Sequence, residues 1–416
     1  MPFFIYVFWE LRWFHFCAGN GTIADMNTKE ILIAVVACAA GIAFAQENAI
    51  EKFDPAMALK AAVVDTNGVK WIDGKYLPLE GKAFPNTTAF YDRLPSNVTE
   101  KVNAGVRGMR NHSSGLQFRF RTDSKNLAFK WVPVSESLAM DHMPSTGKSG
   151  IDVYRQLADG RWVYVKTGRI RNPAGGELSI PWTPGTPCLV NLPLYNGIKS
   201  FTLGIDKSAK VESLGPRKSG IDKPVVFYGT SITHGGCASR PGLAFPSIVG
   251  RDLDVPIVNL GFSGSGRMEL EMSEHLAAID ASCYVLDCLW NMGRSRGGKC
   301  DEDLKGAKPG ADMIVRVRYE PFIRNLRAKR PGVPIVMAEQ CDVYCKGPNA
   351  KDVFIKKLYE KLVAEGWKNL VYLPKDGMYC GDLEGTVDGC HPNDIGMQSM
   401  AKAFGKAVKE ALDTVK

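Results

Sequence analysis

The chain has few of the features that announce metal, nucleic-acid or membrane chemistry. Its 11 cysteines include no C-x-x-C pair, so zinc lacks the ligand spacing of the usual structural sites and neither a metal nor another cofactor is expected. No Lys/Arg-rich run is longer than three residues, so the net charge of +8 is spread over a mildly basic, solvated surface and no nucleic-acid partner is expected. Apolar runs are short too. The longest, from Ile31, holds about 15 residues against the ~20 needed to span a bilayer, so no membrane span is expected. What remains is an ordinary globular composition, 45% hydrophobic and 23% charged. At 416 residues it is too long for one ordinary core, and two domains are the natural expectation.

Residues 1–25 are aromatic-rich, match no structural period and stand before a second methionine, Met26. From there MNTKEILIAVVACAAGIAFAQ reads as a secretory signal: Lys29, an apolar run from Ile31, then Ala43-Phe44-Ala45 before Gln46. The expectation is a start at Met26, a signal peptide at 26–45, and a secreted or periplasmic protein. Val35-Val36-Ala37-Cys38 offers a rival, lipid attachment at Cys38, which the apolar run continuing past that cysteine disfavours. Export permits disulfides, with Cys341/Cys345 and Cys380/Cys390 the pairs to check; buried free thiols fit the spacing equally.

Residues 60–205 read as strands. Leu116-Phe118-Phe120 alternates with Gln117-Arg119-Arg121, placing one face inward and one in water, and Leu127-Phe129-Trp131 repeats the pattern. Asp159-Gly160 and Asn196-Gly197 stand between such segments as hairpin turns. Short strands, turn signals and no long helical pattern predict a β-sandwich. After the charged, Gly/Pro-punctuated stretch 206–224, apolar strands at 225–229, 256–261, 283–288, 334–339 and 370–373 alternate with helical patterns. One helix repeats Phe354, Leu358 and Leu362; the last carries Met397, Met400, Phe404, Val408 and Leu412 on one face. This alternation predicts a parallel, doubly wound α/β sheet with its ligand site at the carboxyl ends of the strands.

The residues at those ends carry the chemistry. Ser231 follows the first strand in FYGTSITHGG. Gly264 follows the second in NLGFSGSGR, in a loop whose N–H groups are free to face a ligand, and Asn291 follows the third in LDCLWNM, bringing an amide donor. Two donors near a serine suit a tetrahedral intermediate, because negative charge appears on the former carbonyl oxygen. Taken singly, Gly264 reads equally as a turn residue and Asn291 as a cap. Asp388 and His391 share one loop in TVDGCHPNDIGM, three residues apart, so the carboxylate can orient the imidazole that accepts the serine proton.

These four blocks, in this order, resemble the SGNH (GDSL-like) hydrolase superfamily: Ser in the first, Gly in the second, Asn in the third, D-x-x-H in the last. The resemblance covers 220–416 and implies a serine esterase with Ser231 as nucleophile and Asp388 and His391 completing the triad. It implies an oxyanion hole from Ser231, Gly264 and Asn291. The third block departs from the family's G-x-N-D, reading Leu289-Trp290-Asn291-Met292. The order Ser…Asp-x-x-His, without a G-x-S-x-G elbow, separates the chain from α/β-hydrolases. GTSITHGGCASRPG and SGIDVY (149–154) further resemble a subgroup whose G-x-D-[LV]-Y sandwich precedes the hydrolase. The organisation implied is an extension and signal peptide at 1–45, an all-β sandwich at 46–215, and a flavodoxin-like doubly wound hydrolase domain at 216–416.

For substrate, a secreted two-domain enzyme of this kind is similar to carbohydrate esterases that remove acetyl groups from polysaccharides. His234, Ser239 and Arg240 follow the nucleophile closely and are candidates for the acyl or sugar pocket. Trp131, Trp162 and Trp182 are either sugar platforms or core, and 293–312 is either a substrate loop or a surface insertion. Two rivals stand: a lipid- or thioester-directed hydrolase with an apolar acyl channel, and a carbohydrate-binding protein with a degenerate hydrolase half. The intact Ser231, Gly264, Asn291, Asp388 and His391 argue against the second. The expected partner is a small-molecule or polysaccharide ester; the sequence fixes no oligomeric state.

Overall fold

The computed structural model describes residues 62–293, 313–341, 348–378, 382 and 384–415. The signal segment with Cys38, the loop from 294 to 312, and Cys345 and Cys380 (one member of each suggested disulfide) lie outside the described residues.

The alternation read in the first half closes two antiparallel sheets over one core. One sheet runs β1 (Ala62–Val64), β2 (Val69–Asp73), β11 (Ile198–Asp206), β5 (Asn126–Pro133), β9 (Gly175–Pro181), β8 (Ile170–Asn172). The other runs β12 (Val211–Ser213), β4 (Gln117–Thr122), β10 (Pro187–Asn191), β6 (Ile151–Gln156), β7 (Trp162–Gly168), with β3 (Leu79–Glu80) also on β4. Phe118 and Phe120 meet Phe129, Trp131 and Phe201 between the sheets, the rings of Phe118 and Phe201 4.5 Å apart. Two short helices, α1 (Ala104–Gly108) and α2 (Ser145–Lys148), interrupt the strands.

Two expectations need correction here. Asp159-Gly160 does turn β6 into β7, with Gly160 at φ +95°. Asn196-Gly197 instead carries the chain from β10 in one sheet to β11 in the other. Asn196 is fully buried there, and its amide donates to the Ser135 carbonyl and Ser149 Oγ (2.9 and 3.0 Å), so the dipeptide is a crosslink between loops. Gln117 and Arg119, expected in water, are buried: Gln117 donates to Glu80 of β3 (3.0 Å), and Arg119 lies between Glu80 (3.8 Å) and the Gly215 carbonyl of the linker (3.5 Å). Arg217 of that linker bonds Glu80 (2.5 Å) on one side and Asp254 of the second half (3.1 Å) on the other.

The second half is a five-stranded parallel sheet. Its strands are β13 (Val225–Gly229), β14 (Ile257–Gly261), β15 (Cys283–Asp287), β16 (Ile335–Ala338) and β17 (Leu370–Leu373), in the order β14-β13-β15-β16-β17. With strands numbered along the chain this is 2-1-3-4-5, the flavodoxin-like order, whose crevice opens between the first and third strands. Both faces are covered, so the strands read as continuous apolar runs: Val226 and Tyr228 enter one core, Val225 and Phe227 the other. The first core also holds residues of α5 (Leu270–Ala277), α6 (Met313–Lys329) and α7 (Ala350–Ala364). The second holds residues of α4 (Phe245–Asp252) and α8 (Asp394–Asp413), including the five-residue face expected of α8. Leu358 and Leu362 of α7 are buried as their spacing predicts, whereas Phe354 is half-buried and Ile355 takes the inner position.

The halves are not separate bodies. Phe84, Leu94, Val102 and Val106, from the first half, belong to the core on the α5–α7 face of the parallel sheet. Among the described residues, no helix is long and apolar enough to cross a membrane.

Candidate active site

Ser231 stands at the carboxyl end of β13, where the chain has no room for a side chain before it. A Cβ on Gly229 would lie 2.0 Å from Thr233 Oγ1 and 2.7 Å from the Asp287 carbonyl. Close approach, not an unusual φ, is what this glycine supplies. Thr230 then caps a four-residue helix, α3 (Ser231–His234), its hydroxyl accepting from the Ile232 N–H. Gly235, at φ +102°, ends it.

At the far end of the chain, residues 385–393 close on themselves. The Asn393 N–H donates to the Gly385 carbonyl (3.0 Å) and the Val387 N–H to the His391 carbonyl (3.0 Å), while the Asn393 side chain caps α8. Inside this loop, Asp388 Oδ1 accepts the N–H groups of Cys390 (3.0 Å) and His391 (2.7 Å), which leaves Oδ2 for His391 Nδ1 at 2.7 Å. The other imidazole nitrogen, Nε2, lies 2.9 Å from Ser231 Oγ. With Nδ1–H donating to the carboxylate, Nε2 is the acceptor for the Ser231 hydroxyl. Partial burial pulls the Asp388 carboxyl upward. The His391 and Cys390 N–H groups and the imidazole outweigh it and hold the carboxyl below the usual range, so it stays charged beside the ring.

The other two predicted residues meet each other. Gly264 adopts φ +64° with open space where a Cβ would be, so here it is the left-handed backbone that calls for glycine. Asn291 Nδ2 lies 3.4 Å from the Phe262 carbonyl and 3.3 Å from that of Gly266, which places its amide over the Gly264 loop. The Lys351 ammonium fixes the preceding turn by donating to the Leu289 carbonyl (2.7 Å). Among the described residues, the N–H groups of Ser231 and Gly264 have no acceptor.

The three residues expected to line a pocket have other employment. His234 is fully buried, stacked on Tyr195 (centroids 4.1 Å, 17°), with Nε2 3.3 Å from His112 Nδ1. It cannot touch a substrate. Ser239 donates from its N–H and Oγ to the Asp394 carboxylate (2.8 and 2.6 Å), tying this segment to the start of α8. Arg240 donates to Asp152 Oδ2 (2.9 Å) and to the Tyr154 hydroxyl, and lies 4.2 Å from the Tyr164 ring. Trp131 and Trp182 are buried in the sandwich core and Trp162 is half-buried.

Arg240 thereby explains the SGIDVY segment, since its Asp152 and Tyr154 are the partners. Asp152 is fully buried and also accepts from the Gly242 N–H and the Asn191 amide, both at 2.9 Å. The motif is a dock between the sandwich and the segment that follows Ser231. Three further positioning groups left no pattern in the sequence. The Tyr195 hydroxyl donates to the Ser231 carbonyl at 2.9 Å. Buried Arg93 donates to the Asn259 and Gly261 carbonyls (2.9 and 3.0 Å) at the end of β14. Asn103 donates to the Ser265 carbonyl (2.7 Å) and Glu269 (2.6 Å). Each comes from the first half, so the sandwich side builds the wall on which Ser231 and the Gly264 loop rest.

Two more side chains approach the cluster of Ser231, His391 and Asp388. His142 lies edge-on to His391 (centroids 5.5 Å, 66°). Cys237 is buried with φ +72°, and burial, with the nearby Asp388 and Cys390, pushes its thiol up to about 12. It is therefore no rival nucleophile at neutral pH.

Comparison with known proteins agrees with this architecture. Residues 222–409 match the GDSL-like lipase/acylhydrolase family and residues 69–211 match the GxDLY N-terminus of SGNH-hydrolase-type esterases. A GDSL-like lipase from Bacteroides ovatus is similar in structure, with 28% identity and a TM-score of 0.70 over 83% of this chain and 98% of that one. Two more distant structures share the fold. A salicylyl-acyltransferase from a tetracycline biosynthetic pathway has 16% identity and a TM-score of 0.64, over 83% and 98% of the two chains. A family two carbohydrate esterase from Cellvibrio japonicus has 10% identity and a TM-score of 0.51, over 84% and 99%. No curated protein matches the sequence. The chain thus carries a GDSL-like lipase/acylhydrolase domain over residues 222–409 and, in front of it, the GxDLY module of SGNH-hydrolase-type esterases over residues 69–211.

Proposed function

We propose that the chain is an exported serine esterase that removes short acyl groups, acetyl above all, from carbohydrate. The observation that carries the reading is the unbroken relay from Ser231 Oγ to His391 Nε2 (2.9 Å) and from His391 Nδ1 to Asp388 (2.7 Å). Ser231 attacks the ester carbonyl as His391 takes its proton; Asp388 fixes the tautomer and stabilises the imidazolium. The oxyanion settles against the N–H groups of Ser231 and Gly264 and the Asn291 amide, each donor contributing ~3 kcal/mol of barrier. Collapse breaks the bond to the sugar oxygen, which takes the proton from the His391 imidazolium and leaves as the hydroxyl. Water, activated by the same imidazole, then releases the acid from the acyl-enzyme.

The short acyl group is supported by the loops beside Ser231, Gly235-Gly236 and Ser263-Gly264-Ser265, which are built of small and polar residues. The fold shared with a carbohydrate esterase supports the sugar, and the signal-like segment at 26–45 supports export. Ser231→Ala should abolish acetate release from acetylated sugars and from an aryl acetate while leaving the protein folded by circular dichroism. Retention of most activity in that variant sinks the mechanism. Preference for an aryl octanoate over the acetate defeats the short-acyl reading in favour of a lipid-directed hydrolase. Acetate release across acetylated xylan, pectin and mannan identifies the acceptor.

A further inference from the structure

We infer that His142, Cys237 and His391 form a binding site for one borderline-soft divalent cation, with Zn²⁺ as its type, and that occupancy shuts the esterase off. One ligand atom from each of the three residues lies within 4.8 Å of the other two. Tetrahedral zinc bonded at ~2.0–2.3 Å sets its ligand atoms about 3.3–3.8 Å apart. With two nitrogens and one sulfur the pairs must reach about 3.3–3.6 Å, so a pair at the 4.8 Å limit closes by about 1.2–1.5 Å, toward which His142, which is exposed, contributes by side-chain rotation.

The three residues are far apart in sequence, so no spacing motif could reveal them, yet their segments are bolted together. Met140 and Met143 exchange main-chain hydrogen bonds (2.9 and 3.1 Å) around the turn that carries His142, and Met143 is buried in the α8-side core. Three residues on, Thr146 Oγ1 donates to the Ser239 carbonyl at 2.6 Å, two residues from Cys237. Ser239 in turn holds Asp394, three residues from His391. Cys237 keeps a backbone at φ +72°, uncommon for a residue with a side chain. Scaffold, not chance proximity, brings the donors together.

The donor chemistry selects the ion. Two imidazoles and a thiolate suit zinc and its neighbours, whereas Mg²⁺ and Ca²⁺ require oxygen ligands. On binding, the Cys237 thiol gives its proton to solvent and both imidazoles coordinate in the neutral form, the fourth position being left to water. Asp388 holds His391 Nδ1–H, so the cation takes the Nε2 lone pair, the same one that receives the Ser231 proton. Binding stands on the cluster alone; inhibition rests on His391 being the esterase base.

The test uses the whole chain, stripped with a chelator and dialysed. ZnCl₂ is titrated by competition with a chromophoric chelator and, separately, during aryl acetate hydrolysis, with MgCl₂ as control. One zinc should bind per chain and abolish hydrolysis, and Mg²⁺ should do neither. His142→Ala and Cys237→Ser should each weaken zinc binding by about tenfold or more and leave zinc-free hydrolysis unchanged. Co²⁺ should give a thiolate charge-transfer band that is lost in Cys237→Ser. Absence of zinc binding, or unaltered affinity in either variant, overturns the site even if hydrolysis still requires Ser231. Stoichiometric zinc on Ser231→Ala supports the site independently of the esterase reading, which fails separately if that variant stays active.

Discussion

At Asn291, the amide reaches the Phe262 and Gly266 carbonyls over 3.4 and 3.3 Å, long for N–H···O bonds and therefore easily exchanged for a better acceptor. A developing oxyanion is such an acceptor, since charge-assisted bonds are roughly twice as strong as neutral ones. Asn291→Ala should therefore lower kcat by about 10²–10³ with little change in KM, while costing no more than about 1 kcal/mol of stability by urea unfolding. A loss of less than about threefold would reduce Asn291 to a strut of the Gly264 loop. A second residue, Asp287, sets a pH signature. Burial pushes its carboxyl up to about 7, the bond from Thr233 Oγ1 (2.7 Å) only partly opposing this. Between an unfolded value near ~3.9 and that point, the native chain holds a proton the unfolded chain has released. Stability is thus lost as pH rises through that window, by up to about 1.4 kcal/mol per pH unit. Asp287→Asn should match the parent near pH 4 and exceed it at pH 8 in urea midpoints. An equal difference between the two proteins at both pH values would mean that the native carboxyl is ionised throughout.

Among the elements, the contact between β6 and the segment after α3 decides whether the sandwich matters to catalysis. Asp152 on β6 is fully buried, with Arg240 as its only charged partner at hydrogen-bond range among the described residues. Removing the arginine leaves that carboxylate without its counter-charge, at a cost of about 3–5 kcal/mol. Arg240→Ala should lower kcat with stability and leave KM for a small aryl ester near the parent value; Arg240→Ala with Asp152→Asn should recover part of both losses. A selective rise in KM without loss of stability would instead return Arg240 to the substrate pocket. This contact also marks how far the sequence could be read. Strand ends, the D-x-x-H loop and the α8 face were legible because each depends on local period or on residues a few positions apart. The GxDLY segment was visible as a pattern, but its purpose was not, because Arg240 lies 88 positions from Asp152. His234 misled for the same reason: nearness in sequence to Ser231 said nothing of the Tyr195 ring that covers it. Asn196-Gly197 misled because a dipeptide suited to a turn served equally as a buried crosslink once Ser135 and Ser149 were beside it.

For the whole molecule, the linker at 206–224 suggests a place to cut, and the packing argues against cutting there. A fragment of residues 216–416 would lack Phe84, Leu94, Val102 and Val106, four apolar side chains buried on the α5–α7 face of the parallel sheet. Each is worth about 1.5–3 kcal/mol of burial, so their combined loss approaches the ~5–15 kcal/mol that holds a domain folded. The same cut removes Arg93 from the Asn259 and Gly261 carbonyls and Tyr195 from the Ser231 carbonyl, so Ser231 loses support as well as cover. The fragment should therefore be aggregation-prone or molten, with no aryl acetate hydrolysis, and the chain from 62 onward should unfold in one transition by calorimetry. Co-expression of residues 62–215 with the fragment should restore activity, since the missing groups are then supplied in trans. A soluble, fully active 216–416 fragment would show that the sandwich side is an addition to a self-sufficient hydrolase; its failure alone and rescue by the partner would make the catalytic unit the whole chain.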